Sequence, residues 1–241
     1  MPGDMNFFVL KWELEMTIAG EVIQAQAGII GFDTTDRLNP ATAKQYYNKG
    51  YRFCVRYIAR DGKSKYDDLI ETEAQAIVNS GMALMAVQHP LAEGWVPTEM
   101  MGRSFGSGAA KFAGDAGLPL GVTVWLDLEG VKAGTADIAV IDYCNAWFAE
   151  VAAVGYTTGV YIGASPGITP DQMYWNLKTK SYWKGGSSAK SGVPDDIPHR
   201  GYQLIQHIQN PGKPNEFDSN VTKIDSFGSS VMWVSESALT S

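Results

Sequence analysis

Short apolar runs alternate with segments of helical periodicity from Gly28 onward. Six mostly apolar runs predict strands, and two weaker runs are consistent with further strands. The six are 28–33, 51–59, 82–88, 122–128, 158–163 and 202–207; the weaker two are 178–183 and 217–221. Helical spacing predicts helices over 40–49, 67–80, 98–116 and 136–154, and a short helix from Pro170. Continuous apolar strands separated by helices are typical of a parallel sheet covered by helices.

Glycines mark the boundaries between these predicted elements. Gly50, Gly81, Gly117 and Gly155 each follow a helical run and precede a strand, as left-handed helix caps do. The repeated order predicts an α/β fold, and eight strands favour a (β/α)8 TIM-type barrel, regular or irregular, over residues 28–241. A doubly wound open sheet is the alternative, but no phosphate-binding glycine motif follows an early strand. The sequence therefore gives no reason to expect a nucleotide or any other cofactor.

Residues 1–27 differ from the rest of the chain. Apolar and polar residues nearly alternate over Phe8–Met16, and Ala19-Gly20 is suited to a turn before a second strand through Val22 and Ile23. We expect a hairpin appended to the barrel, or an arm that contacts another subunit. The start of the chain lacks a cationic segment, and no apolar run approaches the ~18 residues of a membrane span. We therefore expect a protein that is cytoplasmic until it is released, or one that is associated with a virion.

Composition narrows the classes of function. The chain of 241 residues has a formal net charge of −7 and no basic cluster, which argues against nucleic-acid binding. Cys54 and Cys144 are far apart in apolar segments, so we expect two buried thiols rather than a disulfide framework or a zinc site. Seven Trp and eleven Tyr supply rings that could stack on sugars, although core packing is the more common role of such residues.

Polar side chains at the ends of predicted strands are the candidate site residues, because the carboxyl ends of parallel barrel strands meet at one face. The carboxyl groups are Asp33, Asp127, Glu129 and Asp218. The neutral candidates for substrate binding are Tyr57, Gln88, Tyr161 and Gln206. Arg56 could clamp a carboxylate, although pairing with Asp33 is the simpler expectation. His89 is expected to be a hydrogen-bonded structural group.

Asp127 and Glu129 form the most informative pair. Residues two apart on a strand point the same way, with Cα atoms ~6.6 Å apart. Two close carboxyls in a low dielectric raise the pKa of one of them, and a glycosidase uses this pairing of a protonated acid with an ionised carboxylate. A structural pair held by backbone amides or a Lys/Arg is one alternative. An oxygen cage for a hard cation, built from the four acids, is another.

Four motifs in order carry a family resemblance. They are Gly-Phe-Asp at the first strand, Asp-x-Glu at the fourth, a Gln on the seventh and Asp-x-Asn-Val near the last. The combination resembles family 25 glycoside hydrolases, lysozymes that cleave peptidoglycan between N-acetylmuramic acid and N-acetylglucosamine. It is more similar still to their relatives, the glycoside-hydrolase-like domain DUF1906 of bacterial and phage proteins, over roughly residues 28–225.

The resemblance implies a role for each matched residue. Glu129 would be the general acid, and Asp127 would orient the substrate's N-acetyl group or act through a water. Asp33 and Asp218 would flank this pair and tune it electrostatically. Tyr57, Gln88 and Gln206, together with Tyr161, would line the cleft.

Three hypotheses follow. The first is a lysozyme-like glycosidase that acts on peptidoglycan and is encoded by a phage or by a bacterium that carries phage genes. The second is a non-catalytic module that binds the cell wall or another glycan. The third is a component of a virion or secretion apparatus in which residues 1–27 mediate assembly.

Overall fold

The computed structural model describes residues 17–60, 67–186, 192–207 and 217–236. Within these ranges the chain forms ten strands and five helices. The strands are β1 (Glu21–Gln24), β2 (Ile30–Thr34), β3 (Phe53–Ile58), β4 (Ala83–Gln88), β5 (Thr123–Leu128), β6 (Thr157–Ile162), β7 (Tyr182–Lys184), β8 (Leu204–His207), β9 (Asp218–Thr222) and β10 (Met232–Ser235). The helices are α1 (Pro40–Asn48), α2 (Glu71–Asn79), α3 (Glu99–Asp115), α4 (Asp137–Val154) and α5 (Pro170–Asn176).

Strands β2 to β9 close into an eight-stranded barrel, which confirms the predicted fold class. Neighbouring strands from β2 to β8 run parallel, whereas β9 is antiparallel to both β8 and β2. The expectation that every barrel strand runs toward one face was therefore wrong for the last strand. The physical reason is the length of the connection. Ten residues separate His207 from Asp218, whereas a parallel crossover needs a dozen or more residues and usually a helix.

Strands β1 and β10 lie outside the ring. β10 pairs with β4 through Val234 and Leu84, and β1 adds to β10 in antiparallel register. The predicted strand through Val22 and Ile23 is thus β1, and its described partner is β10. The other predicted strand of the hairpin, Phe8–Met16, lies outside the described residues, so the hairpin stays a prediction.

The interior of the barrel is filled by large aromatic side chains. Trp125 and Trp183 meet edge to face, with ring centroids 5.5 Å apart, and both are almost fully buried. The Trp125 ring fits because its neighbour on β6 is Gly159, where a Cβ atom would come within 2.3 Å of the ring. Gly31 accommodates Phe53 in the same way, at 2.4 Å. The barrel is therefore a packed core with its site at one end, as TIM-type barrels are.

Four of the five helices begin within one residue of the predicted position, whereas α2 begins at Glu71, four residues later than predicted. Asn39 and Thr169 cap α1 and α5 through capping boxes, each with proline at the start of the helix. The run of Gly and Ser at 102–108 lies within α3 and is not a nucleophile turn. A Cβ at Gly102 would lie 2.2 Å from the Tyr143 carbonyl oxygen, so the glycines allow α3 and α4 to pack closely. No helix in the described part of the chain is long and apolar enough to cross a membrane.

Candidate active site

Four carboxyl groups gather at the end of the barrel where the parallel strands finish. β2 supplies Asp33, β5 supplies Asp127, and Glu129 follows β5 directly. Asp218 begins β9 rather than ending a strand, and it reaches this face because β9 runs in the opposite direction. In the sheet register Asp33 lies opposite Asp218. The structure thus brings together acids that are up to 185 residues apart in sequence.

Two side-chain hydrogen bonds hold Asp33 in place. Its Oδ2 accepts hydrogen bonds from Gln206 Nε2 at 2.8 Å and from Asn220 Nδ2 at 2.7 Å. Burial outweighs these two bonds and, with a further contribution from the Asp218 charge, raises the pKa of Asp33 to about 7. Asp33 therefore exchanges its proton near neutral pH.

Asp127 and Glu129 behave as a coupled pair. Asp127 is only 7 % exposed, and its Oδ1 has no hydrogen-bond partner among the described residues. Burial, reinforced by the Glu129 and Asp33 carboxyls, raises the pKa of Asp127 well above its usual range. Burial also raises the pKa of Glu129, which is half-buried. Such a pair releases its two protons in separate steps, so one proton is retained where isolated carboxyls would both be ionised.

Glu129 is positioned by the loops on either side of it. Its carbonyl accepts a 2.7 Å hydrogen bond from the indole of Trp95, which follows β4. The next residue, Gly130, donates to the Ala164 carbonyl at 2.7 Å, beyond β6. Across the loop, a Cβ atom at Gly163 would lie 2.3 Å from Glu129 Oε2. The Glu129 carboxyl therefore occupies space that only a glycine at 163 leaves open.

Two tyrosines and a glutamine complete the cluster. Tyr161 lies opposite Asp127 in the sheet register, and its hydroxyl donates to Gln206 Oε1 at 3.0 Å. Burial and the surrounding carboxylates raise the pKa of Tyr161. The pKa of Tyr57 is also raised well above 10. Burial is the largest cause, and the charges of Asp33, Asp127 and Glu129 add to it. Both hydroxyls thus remain protonated and can donate hydrogen bonds.

The structure places two other candidates outside the cluster. The Gln88 side chain donates to the Phe105 carbonyl at 2.8 Å and accepts from the Trp147 indole at 2.8 Å, so it joins the barrel to α3 and α4. Arg56 is fully buried against α2, with Nε 2.7 Å from Glu73 Oε1. The expected pairing of Arg56 with Asp33 was wrong, because Arg56 and Asp33 project to opposite sides of the barrel wall.

His89 lies beside the cluster rather than in it. Its ring stacks on Tyr57, with centroids 4.9 Å apart, and its Nε2 is 2.8 Å from Asp68 Oδ1. This arrangement agrees with the expected structural role. The two cysteines are buried, as predicted.

Asn220 and Trp183 belong to the site although the sequence analysis did not single them out. Asn220 donates to Asp33 and accepts from the Trp183 indole at 2.8 Å. Asn220 could have been predicted from its spacing, because it lies two residues after Asp218 on the same strand and must face the same way. Trp183 gave no signal apart from its aromatic character.

No group of three or more His, Cys, Asp or Glu within the described ranges is arranged to hold a metal ion.

Comparison with known proteins gives one family and several similar structures. A family model described as the Rv2525c-like, glycoside hydrolase-like domain matches residues 44–226. No curated protein sequence matches the chain. The Tat-secreted protein Rv2525c of Mycobacterium tuberculosis, solved in complex with L-tartrate, has a TM-score of 0.62 at 17% identity; the match covers 85% of this chain and 99% of that chain.

Two further similar structures are a muramidase and the catalytic domain of an endolysin. A muramidase from Acremonium alcalophilum has a TM-score of 0.53 at 16% identity, covering 83% of this chain and 95% of that chain. The catalytic domain of the endolysin ply40, from bacteriophage P40 of Listeria monocytogenes, has a TM-score of 0.51 at 18% identity with the same two coverages. At such identities the likeness establishes a shared fold.

Proposed function

The chain belongs to the family of Rv2525c-like, glycoside hydrolase-like domains, and we propose that it is a glycosidase that hydrolyses bacterial cell-wall peptidoglycan. The observation that carries the proposal is the coupled carboxyl pair Asp127/Glu129 at the end of the barrel where the parallel strands finish, with raised pKa values on both residues. The fold shared with a muramidase and an endolysin supports the choice of substrate.

Glu129 is the general acid in this proposal. It is the more accessible member of the pair, and it follows the strand at the mouth of the barrel. Its proton passes to the glycosidic oxygen as the bond from that oxygen to the anomeric carbon breaks, so the leaving sugar departs as a neutral alcohol. Burial raises the pKa of Glu129 and so favours its protonated form, as a general acid requires.

Asp127 supports the positive charge that develops at the anomeric carbon. In the free site burial acts more strongly on Asp127 than on Glu129, so the one proton that the pair retains lies on Asp127. In this proposal substrate binding moves that proton from Asp127 to Glu129, which then donates it to the glycosidic oxygen. Asp127 is thereby left ionised as the cationic centre forms. The ionised carboxylate then orients the substrate's acetamido group, whose oxygen assists at that carbon, or acts through a water. Tyr57 supplies a hydroxyl donor beside the pair. The Tyr161 hydroxyl donates to Gln206, which links Tyr161 to Asp33.

The direct test is replacement of Glu129 by Gln, which preserves shape and removes the acid. Release of reducing ends from purified peptidoglycan should fall by about 10²–10⁴-fold in E129Q, the range that general acid catalysis contributes. Glu99→Gln is the matched control, because Glu99 is an exposed residue at the start of α3 and pairs only with Arg103 there. Equal hydrolysis by the wild-type protein and E129Q would refute the assignment.

Glycan binding without cleavage is the second candidate. It is favoured by the near-complete burial of Asp33 and Asp127, which leaves only Glu129 and Asp218 half-exposed. If the protein binds glycans without cleaving them, the wild-type protein should co-sediment saturably with insoluble peptidoglycan and should release no new reducing ends. The E129Q variant would then bind as the wild type does.

A further inference from the structure

A group of exposed aromatic rings lies at the end of the barrel opposite the carboxyl cluster. We call it the basal patch and define it as Tyr174, Trp175, His199, Arg200 and Phe227. Trp175 is 68 % exposed and Phe227 62 % exposed. Both are large apolar side chains that folding has left in water, and exposed apolar groups of this size in one place mark interaction sites.

Three separate segments build the basal patch. Tyr174 and Trp175 end α5, which precedes β7; His199 and Arg200 precede β8; and Phe227 follows the antiparallel strand β9. All three connections lie at the amino-terminal end of the parallel strands. The basal patch is therefore separated from Asp127 and Glu129 by the length of the barrel.

Within the basal patch Tyr174, Trp175 and His199 contact one another, and Phe227 contacts Arg200. The centroid of Trp175 is 4.8 Å from that of Tyr174 and 5.6 Å from that of His199, while the Arg200 guanidinium lies 5.3 Å from the Phe227 centroid. His199 adopts a left-handed backbone conformation with φ of 66°, which is uncommon for a residue with a side chain. That conformation is part of a turn closed by Gly201 N–H to the Ile197 carbonyl at 2.8 Å, and it directs the imidazole toward Trp175.

A polar depression of about 360 Å³ adjoins these rings. Its lining includes Asp196, His199, Arg200, Lys223 and Ser226. Arg200 Nε is 2.7 Å from the buried carboxyl of Asp225, which fixes the guanidinium at the edge of the depression. The lining thus carries cationic, anionic and hydroxyl groups together, next to an exposed indole.

This chemistry selects a sugar polymer over other partners. A sugar ring has an apolar face that stacks on an aromatic ring, and a rim of hydroxyl and amide groups that both donate and accept hydrogen bonds. A polyanion or an anionic lipid surface would require a cationic face, whereas Asp196 and Asp225 lie among the cations here. The geometry points to a second carbohydrate-binding site at the basal patch, which holds the cell-wall polymer while the carboxyl cluster acts on another chain of it. The identity of the polymer rests on the function proposed above; the site itself does not require cleavage.

The test measures binding separately from hydrolysis. In the full-length E129Q protein, which leaves the polymer intact, W175A and the double substitution W175A/F227A should weaken co-sedimentation with purified insoluble peptidoglycan by about tenfold or more. W175F keeps a ring and should retain most of the binding. Ile138→Ala, at an apolar residue on α4 that is 61 % exposed, is the matched control and should bind as E129Q does.

The outcomes separate the two proposals. With Glu129 intact, W175A should hydrolyse soluble peptidoglycan fragments at the wild-type rate and insoluble walls more slowly. Weaker co-sedimentation of W175A together with no hydrolysis by the wild type would support the basal site and refute the glycosidase. Unchanged co-sedimentation of W175A/F227A, or no co-sedimentation of E129Q, would overturn the basal site. A change in solution mass on substitution without a change in binding would make the basal patch a contact between copies of the chain and would also overturn it.

Discussion

At the scale of single residues, a residue could be assigned to the site from the sequence only where its spacing from another site residue fixes the direction of its side chain. Asp127 and Glu129 are two residues apart, so they had to project together wherever the strand lay. Gln88 and Arg56 carried no such information. Their strands are apolar on both faces, since one face packs inside the barrel and the other against helices, and alternation does not then distinguish the two sides.

The pKa of Asp33 leads to a prediction for the pH dependence of stability. Burial raises this pKa to about 7 in the folded protein, against ~3.9 in an unfolded chain. Between these values the folded state binds a proton that the unfolded state has lost. The contribution of Asp33 is therefore fully present below about pH 4 and disappears as the pH rises through 7.

Replacing Asp33 by Asn removes the titration, while its amide oxygen can still accept from Gln206 and Asn220. D33N should gain stability over the wild type on going from pH 4 to pH 8, by up to ~4 kcal/mol. Urea unfolding at the two pH values measures this gain. D142N, at an exposed carboxyl on α4, is the control and should follow the wild type at both. A difference between D33N and wild type that is the same at both pH values would contradict the assigned protonation.

Gly163 gives a second prediction at this scale. An alanine there would place Cβ 2.3 Å from Glu129 Oε2 and 2.6 Å from Glu129 Cβ, so the glutamate must shift. Because misplacement of a catalytic group by about 1 Å costs ~10²-fold, we expect G163A to lose hydrolysis by roughly that factor. Gly114→Ala in α3 is the control, since its Cβ would meet nothing nearer than Tyr156 Oη at 3.7 Å and should be neutral or stabilising. Full activity of G163A would show that Glu129 is not held as described.

At the scale of elements, the strands and helices followed from periodicity, but the direction of β9 did not. An apolar run is the same for a parallel and an antiparallel strand; only the length of the connection before it distinguishes the two. This direction matters for the site, because it brings both Asp218 and Asn220 to the mouth of the barrel. Residues 1–27 remain the least predictable part, since a strand pattern alone does not say which edge the strand will join.

Buried Arg56 joins two of the elements that frame the mouth. Its guanidinium donates to the carbonyl of Thr34, the last residue of β2, to the Asp67 carbonyl before α2 at 2.7 Å, and to Glu73 on α2. Glu73 Oε1 in turn accepts from the backbone N–H of Leu38 at 2.7 Å. The pair therefore ties the loops after β2 and β3 to one helix.

Removing Arg56 should be costly because it leaves the Glu73 charge buried without its main partner. We expect R56A to lose about 3–5 kcal/mol of unfolding free energy, and the double variant R56M/E73L to recover much of that loss, since an apolar pair carries no desolvation penalty. Denaturant titration measures both. R103A breaks an exposed pair with Glu99 and should cost no more than ~1 kcal/mol. A loss in R56A as small as that in R103A would mean that water reaches Glu73.

At the scale of the whole molecule, the residues of the proposed catalytic site lie at one end of the barrel, and apolar residues that stabilise the fold lie near the other end. The carboxyl cluster at one end keeps charges and an unpartnered oxygen in a buried setting, which costs stability. Near the other end, Trp233 of β10 packs on Phe53 with ring centroids 5.4 Å apart, and Met232 N–H bonds the Thr123 hydroxyl at 2.9 Å. These contacts hold β10 against the amino-terminal ends of β3 and β5, where apolar packing can offset the cost of the site.

This separation predicts that stability and catalysis can be changed independently. Trp233 is almost fully buried, so W233A should lose about 3–5 kcal/mol of unfolding free energy. Among the described residues the ring contact of Trp233 is with Phe53, at the end of the barrel away from Asp127 and Glu129. The variant should therefore hydrolyse peptidoglycan at the wild-type rate at temperatures where it stays folded. E129Q should show the reverse, a folded protein with little hydrolysis. If W233A lost hydrolysis while circular dichroism showed it to be fully folded, then the base of the barrel would be coupled to its mouth, and the site would depend on packing along the whole length of the barrel.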